Sequence, residues 1–220
     1  MITNPEIFKA LVSAIPHSFI EKLHQDIPNG YSEAHSAVSN DPIIEESEYD
    51  YLMPHYRRAI SETIFRKAAT EAGLIAIALE NIRHTARYSL VKCGPFLITQ
   101  SYVSEPGKFV RAAHFRSQHA SLNALLAQGR FPEFDTSETF QGEPDNIYCI
   151  LLHGADLSDK RKTGFMELAI PHSNAASWID RYKLSDVLLA AQVKRDADNE
   201  QQDKAHPTLK PIPKEGTGEM

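Results

Sequence analysis

One stretch constrains the fold more than any other: residues 147–153, with the sequence IYCILLH, are almost continuously apolar or aromatic. A run without polar alternation is typical of a strand that is covered on both faces of its sheet. Gly154 and a polar turn follow, and residues 164–170 then alternate in polarity. We therefore expect residues 147–170 to form a hairpin whose first strand is central in the sheet.

A second hairpin is predicted over about residues 86–103, where Cys93-Gly94-Pro95 separates two strand-like runs. Asn4-Pro5 predicts a helix start. The most clearly marked helix is predicted between Pro54 and Gly73, because proline is favoured in the first turn of a helix and glycine just after its end. Further helices are predicted at 17–26, 74–82 and 110–128, and after a cap at Ser173 or Asn174. The fold class expected is α+β, with an antiparallel sheet of two hairpins (about 86–103 and 147–170) packed with several helices.

The connecting segments are predicted from their polarity. Pro28-Asn29-Gly30 predicts a turn, and the acidic residues 31–50 predict an exposed loop. Residues 194–220 are polar, Pro-rich and nearly without large apolar side chains, which predicts a disordered C-terminal tail. No linker divides residues 1–193, so we expect a single α+β domain there.

Charge is distributed unevenly along this domain. The chain has 23 Lys and Arg against 29 Asp and Glu, a formal net charge of −6. Counting along the sequence, residues 1–54 are acidic, residues 55–130 form a basic centre and residues 131–193 are acidic again. Such segregation is a hint of a polyanionic or acidic partner. It is equally compatible with a basic centre that neutralises its own acidic flanks.

The basic centre supplies the candidate anion-binding residues. Most are arginines, whose planar guanidinium group pairs with phosphate through two hydrogen bonds. The candidates are Arg57, Arg58, Arg66, Lys67, Arg83, Arg87, Arg111 and Arg116. Tyr88 and Tyr102 offer aromatic faces on which bases stack. The first hypothesis is therefore a non-catalytic, cytoplasmic module, regulatory in role, that binds a polyanion, in first place nucleic acid.

Catalysis has weaker support in the sequence. No phosphate-binding glycine loop, serine-hydrolase elbow or zinc signature is present, so no metal or cofactor is expected. His84, His114 and His119 lie among the arginines and are the candidate acid–base residues. Imidazole and guanidinium groups together meet the needs of metal-independent phosphodiester cleavage, which is a further alternative.

The other alternative is a protein-interaction partner, such as an antitoxin-like protein, an inhibitor or an adaptor. It would present the acidic segments 33–50 and 133–145 to a basic protein. The two cysteines, Cys93 and Cys149, cannot form a disulfide framework, and we expect reduced thiols and a cytoplasmic location. No apolar run approaches the length of a membrane span, so no membrane association is expected.

Overall fold

The computed structural model describes residues 4–82, 84–128 and 146–205, with side chains up to residue 200. Six strands form one mixed sheet in the order β1-β2-β3-β4-β5-β6. They are Ile75–Glu80 (β1), Arg87–Cys93 (β2), Phe96–Tyr102 (β3), Ile147–Ala155 (β4), Thr163–Pro171 (β5) and Trp178–Lys183 (β6). The α+β class is confirmed, and β4 lies near the middle of the sheet as its apolar run predicts.

The sheet is not built from two antiparallel hairpins alone. β3 and β4 are parallel, with Phe96 opposite Ile147 and Tyr102 opposite His153, whereas every other neighbouring pair is antiparallel. A parallel pair needs a crossover connection, and here the chain between β3 and β4 includes α4 (His114–Ala120) and α5 (Ala124–Ala127). Each predicted hairpin therefore belongs to a three-stranded antiparallel unit.

The remaining helices are Pro5–Ala14 (α1), His17–Ser39 (α2), Tyr49–Glu71 (α3) and Leu184–Ala205 (α6), with 3-10 turns at Glu46–Glu48 and Ser121–Asn123. Two predicted boundaries are confirmed by their local chemistry. The Asn4 side chain accepts a hydrogen bond from the Glu6 amide at 3.0 Å and caps α1. Gly73 has φ of 75° and follows the end of α3, a conformation that favours glycine.

The turn predicted at residues 28–30 is wrong, because α2 continues through it. Gly30 lies in the contact between α2 and α3, and a Cβ there would come within 2.6 Å of Ile64. Tyr31 and Val38 are fully buried on the same helix, so most of the predicted 31–50 loop is helical or packed against α3. Close helix packing stabilises the helix here more than the local turn signal destabilises it.

Two helix predictions also fail because strand pairing overrides the local pattern. Residues 75–80 are β1, in which Ile77 and Leu79 face the same side of the sheet and pair with β2. The segment after Asn174 forms β6, and its helix begins only at Leu184. That helix continues to Ala205, past the predicted start of the tail at residue 194. Residues 206–220 lie outside the described residues.

The sheet is covered on both faces. The first face packs against α1, α2, α3 and α6, with Val91, Ile98 and Leu151 among its buried residues. The second face, with Leu97 and Ile150, packs against residues 109–122 of the β3–β4 connection. None of the helices in the described ranges combines the length and the apolarity that crossing a bilayer requires.

Candidate anion-binding site

The sheet opens between two of its strands. β2 and β3 pair only at Val91–Ile98, Lys92–Leu97 and Cys93–Phe96, although both strands continue beyond these pairs. The start of β2 and the end of β3 therefore separate, and polar side chains occupy the space between them. We call this region the β2–β3 opening, defined by Arg58, Glu62, Arg66, Ser89, Ser101 and Arg116.

A carboxylate from α3 substitutes for the missing strand partner. Glu62 accepts hydrogen bonds from the Ser89 amide, at 2.9 Å, and from the Ser89 hydroxyl. Arg66 donates to the same hydroxyl at 2.7 Å, and its Nη1 lies 3.8 Å from Glu62 Oε2. Glu62 and Ser89 are buried, so this contact satisfies backbone and side-chain groups that water does not reach. Of these residues, only Arg66 was predicted from the sequence.

Arg116 reaches the opening from α4, on the opposite face of the sheet. Its guanidinium group donates to the Ser101 hydroxyl at 3.0 Å and to the Arg111 carbonyl at 2.7 Å. Both acceptors are neutral, and the Nε of Arg116 is buried without a hydrogen-bond partner in the described part of the chain. Burial lowers the pKa of this guanidinium group, and the nearby charge of Arg58 lowers it further, while Tyr148 and Glu62 raise it.

Three guanidinium groups and one carboxylate thus meet at the opening. Arg58 is exposed on α3 and donates to the Arg87 carbonyl at 2.9 Å. Neither Arg58 nor Arg116 has a carboxylate within ion-pair distance among residues 4–82, 84–128 and 146–200. Arg111, whose carbonyl accepts a hydrogen bond from Arg116, is exposed three residues before α4. The opening therefore carries positive charge that no carboxylate of the described residues pairs with at Arg58 or Arg116.

No family model matches this chain, and no curated protein or solved structure shows significant similarity to it. The function must therefore be inferred from the geometry of its own residues.

Two of the other predicted cations have carboxylate partners. Arg87 binds Glu80 through two hydrogen bonds of 2.9 and 3.2 Å. Lys67 is exposed and lies 3.9 Å from Glu71. Arg57 is buried at a different place, described below, and Arg83 lies outside the described residues. The basic centre of the sequence is thus divided between the opening, surface ion pairs and a buried position.

The candidate histidines have different surroundings. His84 is exposed, and its Nδ1 lies 2.6 Å from Glu80 Oε2, a contact that lowers the pKa of this carboxyl together with Arg87. His114 is exposed at the first residue of α4. His119 is half-buried, and burial lowers its pKa. This arrangement does not assemble an acid–base pair around one reacting position.

The aromatic side chains near the opening pack on one another. Tyr88 stacks on Phe115 with ring centroids 3.8 Å apart, and the Arg116 guanidinium carbon lies 4.9 Å from the Phe115 ring. His119 fills the space between Tyr88 and Tyr148, at centroid distances of 6.3 and 5.3 Å. One face of Tyr88 is therefore already occupied, so it is a poorer base-stacking platform than its sequence position indicates.

A second polar cluster lies between β3 and β4, and sequence reasoning missed most of it. Tyr31 Oη lies 2.7 Å from His153 Nδ1, and His153 Nε2 lies 2.6 Å from Gln100 Oε1. With the Gln100 oxygen facing His153, Nε2 of His153 donates a hydrogen bond to Gln100, and Nδ1 accepts a hydrogen bond from the Tyr31 hydroxyl. All three residues are buried, and burial lowers the pKa of His153 to about 4. His153 is thus neutral at pH 7.

Neither cysteine contributes to either cluster. Cys93 and Cys149 are buried free thiols, and burial raises the pKa of each to about 12. Within the described ranges, no group of three or more His, Cys, Asp and Glu side chains is arranged to hold a metal ion.

Proposed function

We propose that this protein binds a polyanion, in first place nucleic acid, at the β2–β3 opening. The observation that carries the proposal is Arg116, a largely enclosed guanidinium group whose hydrogen bonds to the described residues go to neutral acceptors. An enclosed charge is stabilised by an opposite charge, and phosphate oxygens match the fork of an arginine. The neighbouring Arg58 is exposed, and it also lacks a carboxylate within ion-pair distance in the described residues.

The number of unpaired cations bounds the strength of this binding. Arg58, Arg111 and Arg116 are the members of the candidate set near the opening that lack a carboxylate partner in the described residues. Three phosphate contacts predict a slope of log K against log salt of about −3 on duplex DNA and about −2 on a single strand. Salt titration of a labelled 20-mer by fluorescence anisotropy measures both slopes.

Single charge removals test which cations make these contacts. We expect Arg116→Gln and Arg58→Gln each to weaken binding by about tenfold in dilute salt and to reduce the size of the slope by about one. Lys67→Gln is the matched control, because it removes the same charge from α3 at a position paired with Glu71. Unchanged slopes in both arginine variants, or no binding by the unmodified protein at 50 mM salt, would contradict the proposal.

A second candidate function, binding of a basic protein, is favoured by the surface around the Glu46–Glu48 turn. Glu45, Glu46 and Glu48 are exposed there, next to Ile43, which is 89% exposed, and Tyr51, which is 69% exposed. Exposed apolar side chains rimmed by charge are a feature of interaction surfaces. The other acidic segment of this hypothesis, residues 133–145, lies outside the described residues.

This candidate is separable from nucleic-acid binding by mutation. We expect Ile43→Ser combined with Tyr51→Ser to abolish capture of a basic partner protein at low salt while leaving DNA affinity unchanged. Capture is measured by pull-down with purified protein, and Arg58→Gln serves as the reciprocal control. A double variant that still captures the same partner would count against this surface. Metal-independent phosphodiester cleavage remains a prediction that the histidine geometry does not favour.

A further inference from the structure

A cleft of about 340 Å³ lies at the carboxyl ends of the parallel strands β3 and β4. α3 contributes Met53, Pro54 and Arg57 to its walls, β3 contributes Tyr102, and the β4–β5 turn contributes Asp156 and Lys160. This volume is in the range of small-molecule sites, and the carboxyl edge of parallel strands is where open sheets commonly bind ligands. The cleft shares no lining residue with the β2–β3 opening.

Arg57 is a cation buried in the wall of this cleft, and the described residues do not satisfy all of its hydrogen-bond donors. It is only 6% exposed, its Nη2 donates to the Lys160 carbonyl, and its Nε is buried without a partner in the described residues. Its guanidinium carbon lies 5.1 Å from the centre of the Tyr31 ring. Arg57 thus contacts a carbonyl and an aromatic face, and no carboxylate of the described residues is in direct contact with this buried cation.

The other charged groups of the cleft have partners of their own, and one such pair, Lys160 with Asp50, lies on the cleft wall itself. Lys160 Nζ binds Asp50 at 2.9 Å. This hydrogen bond lowers the pKa of the Asp50 carboxyl, and the nearby charge of Arg57 lowers it as well, without a direct contact between the two. Asp156 Oδ1 accepts hydrogen bonds from the amide and hydroxyl of Ser158 and from the Asp159 amide. Neither carboxylate hydrogen-bonds Arg57. The negative charge of Asp156 on the wall favours a ligand of low charge over a polyanion.

The cluster behind Arg57 holds it in place without adding charge. The Tyr31 ring supports the guanidinium group, and the Tyr31 hydroxyl is fixed by neutral His153. Tyr102, 42% exposed, and Leu157, 83% exposed, add apolar surface at the mouth of the cleft. A cation at the base and apolar side chains at the rim match an oxyanion attached to an apolar body.

We infer that this cleft binds a small organic oxyanion, a carboxylate or a phosphate monoester, with its charge on Arg57 and its apolar body against Tyr102 and Met53. This site goes beyond the proposed polyanion binding, because it depends on different residues. Phenyl phosphate, benzoate and benzylamine are suitable probes, since they present an anionic phosphate, an anionic carboxylate and a cation on the same aromatic body.

The experiment is a titration of the full chain with each probe, followed by NMR chemical shifts and by the rise in melting temperature that a ligand produces. We expect phenyl phosphate, benzoate or both to shift the signals of the cleft residues, and benzylamine to leave them unchanged. The anion that binds more tightly identifies the source of the oxyanion as phosphate or carboxylate. Two outcomes overturn the inference. One is that benzylamine binds as tightly as the anions. The other is that neither anion shifts the signals at 10 mM, which is about the weakest binding a specific site of this size would show.

Two variants assign the contacts. We expect Arg57→Gln to weaken anion binding at least about tenfold, because it removes a charge-assisted hydrogen bond. Tyr102→Ala, at the exposed rim, should weaken the aromatic anions severalfold and decides the question if Arg57→Gln does not fold. Arg116→Gln is the control and should retain anion binding at the cleft even if DNA binding is lost. Full affinity in a folded Arg57→Gln, or in Tyr102→Ala if the first variant does not fold, overturns the assignment.

Discussion

The free energy of unfolding should fall by about 3 kcal/mol as the pH is lowered from 7 to 4, because of His153 alone. His153 is fully buried between Tyr31 and Gln100, and its pKa is lowered to about 4 by burial. In the unfolded chain the imidazole has its ordinary pKa near 6.5. Between these two values the unfolded state binds a proton that the folded state does not.

The sign of the effect follows from this difference in proton binding. The contribution of His153 to stability is complete above about pH 6.5, and it is lost as the pH falls toward the folded-state pKa of about 4. Protonation in the folded state would place a charge beneath Arg57, since Arg57 packs on the Tyr31 ring that contacts His153. Urea denaturation at half-unit pH intervals measures the slope.

A non-titrating variant isolates this contribution from that of the acidic residues. We expect His153→Gln to be less stable at pH 7. Between pH 6.5 and 4 its free energy of unfolding should lack the contribution of His153 to the slope against pH, so that the slope that is left comes from other groups. His114→Gln removes an exposed imidazole and should keep the slope of the unmodified protein. The explanation fails if the unmodified protein and His153→Gln have parallel stability curves over this range.

The substitution Asn123→Ala should lower the free energy of unfolding by about 4 kcal/mol, because it leaves three buried polar groups without partners. Asn123 Nδ2 donates to the carbonyls of Tyr148 and Pro171 at 3.0 and 2.8 Å. Its Oδ1 accepts the Tyr148 amide at 2.8 Å. Asn123 is fully buried, so water replaces these bonds poorly.

Pro171 explains why this side chain is needed. The β4–β5 pairing ends with Ile150 opposite Ala169, and the same register continued by two residues would bring Tyr148 opposite Pro171. Proline has no amide hydrogen, so it cannot continue the ladder of strand hydrogen bonds. The Asn123 amide group takes the place of the missing pairing and ties the β3–β4 connection to β4.

Chemical denaturation of Asn123→Ala and a matched control measures this contribution. Asn174→Ala is the control: Asn174 is exposed and accepts one hydrogen bond, from the Ala176 amide at 3.0 Å. We expect it to cost less than about 1 kcal/mol. A loss of similar size in both variants would show that Asn123 is not a special connection between the β3–β4 segment and the sheet.

Several predictions from local chemistry agree with the structure, although the predicted helix start at Pro54 is wrong, because α3 begins at Tyr49 and runs through this proline. Residues 147–153 form a buried strand because the side chains on both of its faces are nearly all apolar or aromatic. This property does not depend on which strands pair with it. The Asn4 cap, the Gly73 helix end and the Gly94 turn, with φ of 53°, likewise need only their own backbone. The errors at residues 28–30, 75–80 and 178–183 occur where packing or strand pairing outweighs local preference.

The candidate sites required contacts that connect distant parts of the chain. The arginine-rich composition of residues 55–130 was visible in the sequence, but Arg58 and Arg116 meet only because β2 and β3 separate and because α3 and α4 cover opposite faces. Glu62 and Arg66 have the i,i+4 spacing of a helical ion pair, which sequence reasoning did not use, and nothing local points to Ser89 as their partner.

The amino-acid sequence by itself determined the α+β class, the central strand and the unequal distribution of charge, because these follow from side-chain periodicity and composition. The tertiary structure alone decided which cations remain unpaired and which become buried. Tyr31 and His153 are 122 residues apart, and Arg57 and Lys160 are 103 apart. Contacts at such separations depend on how the sheet and helices pack, and no local pattern encodes them.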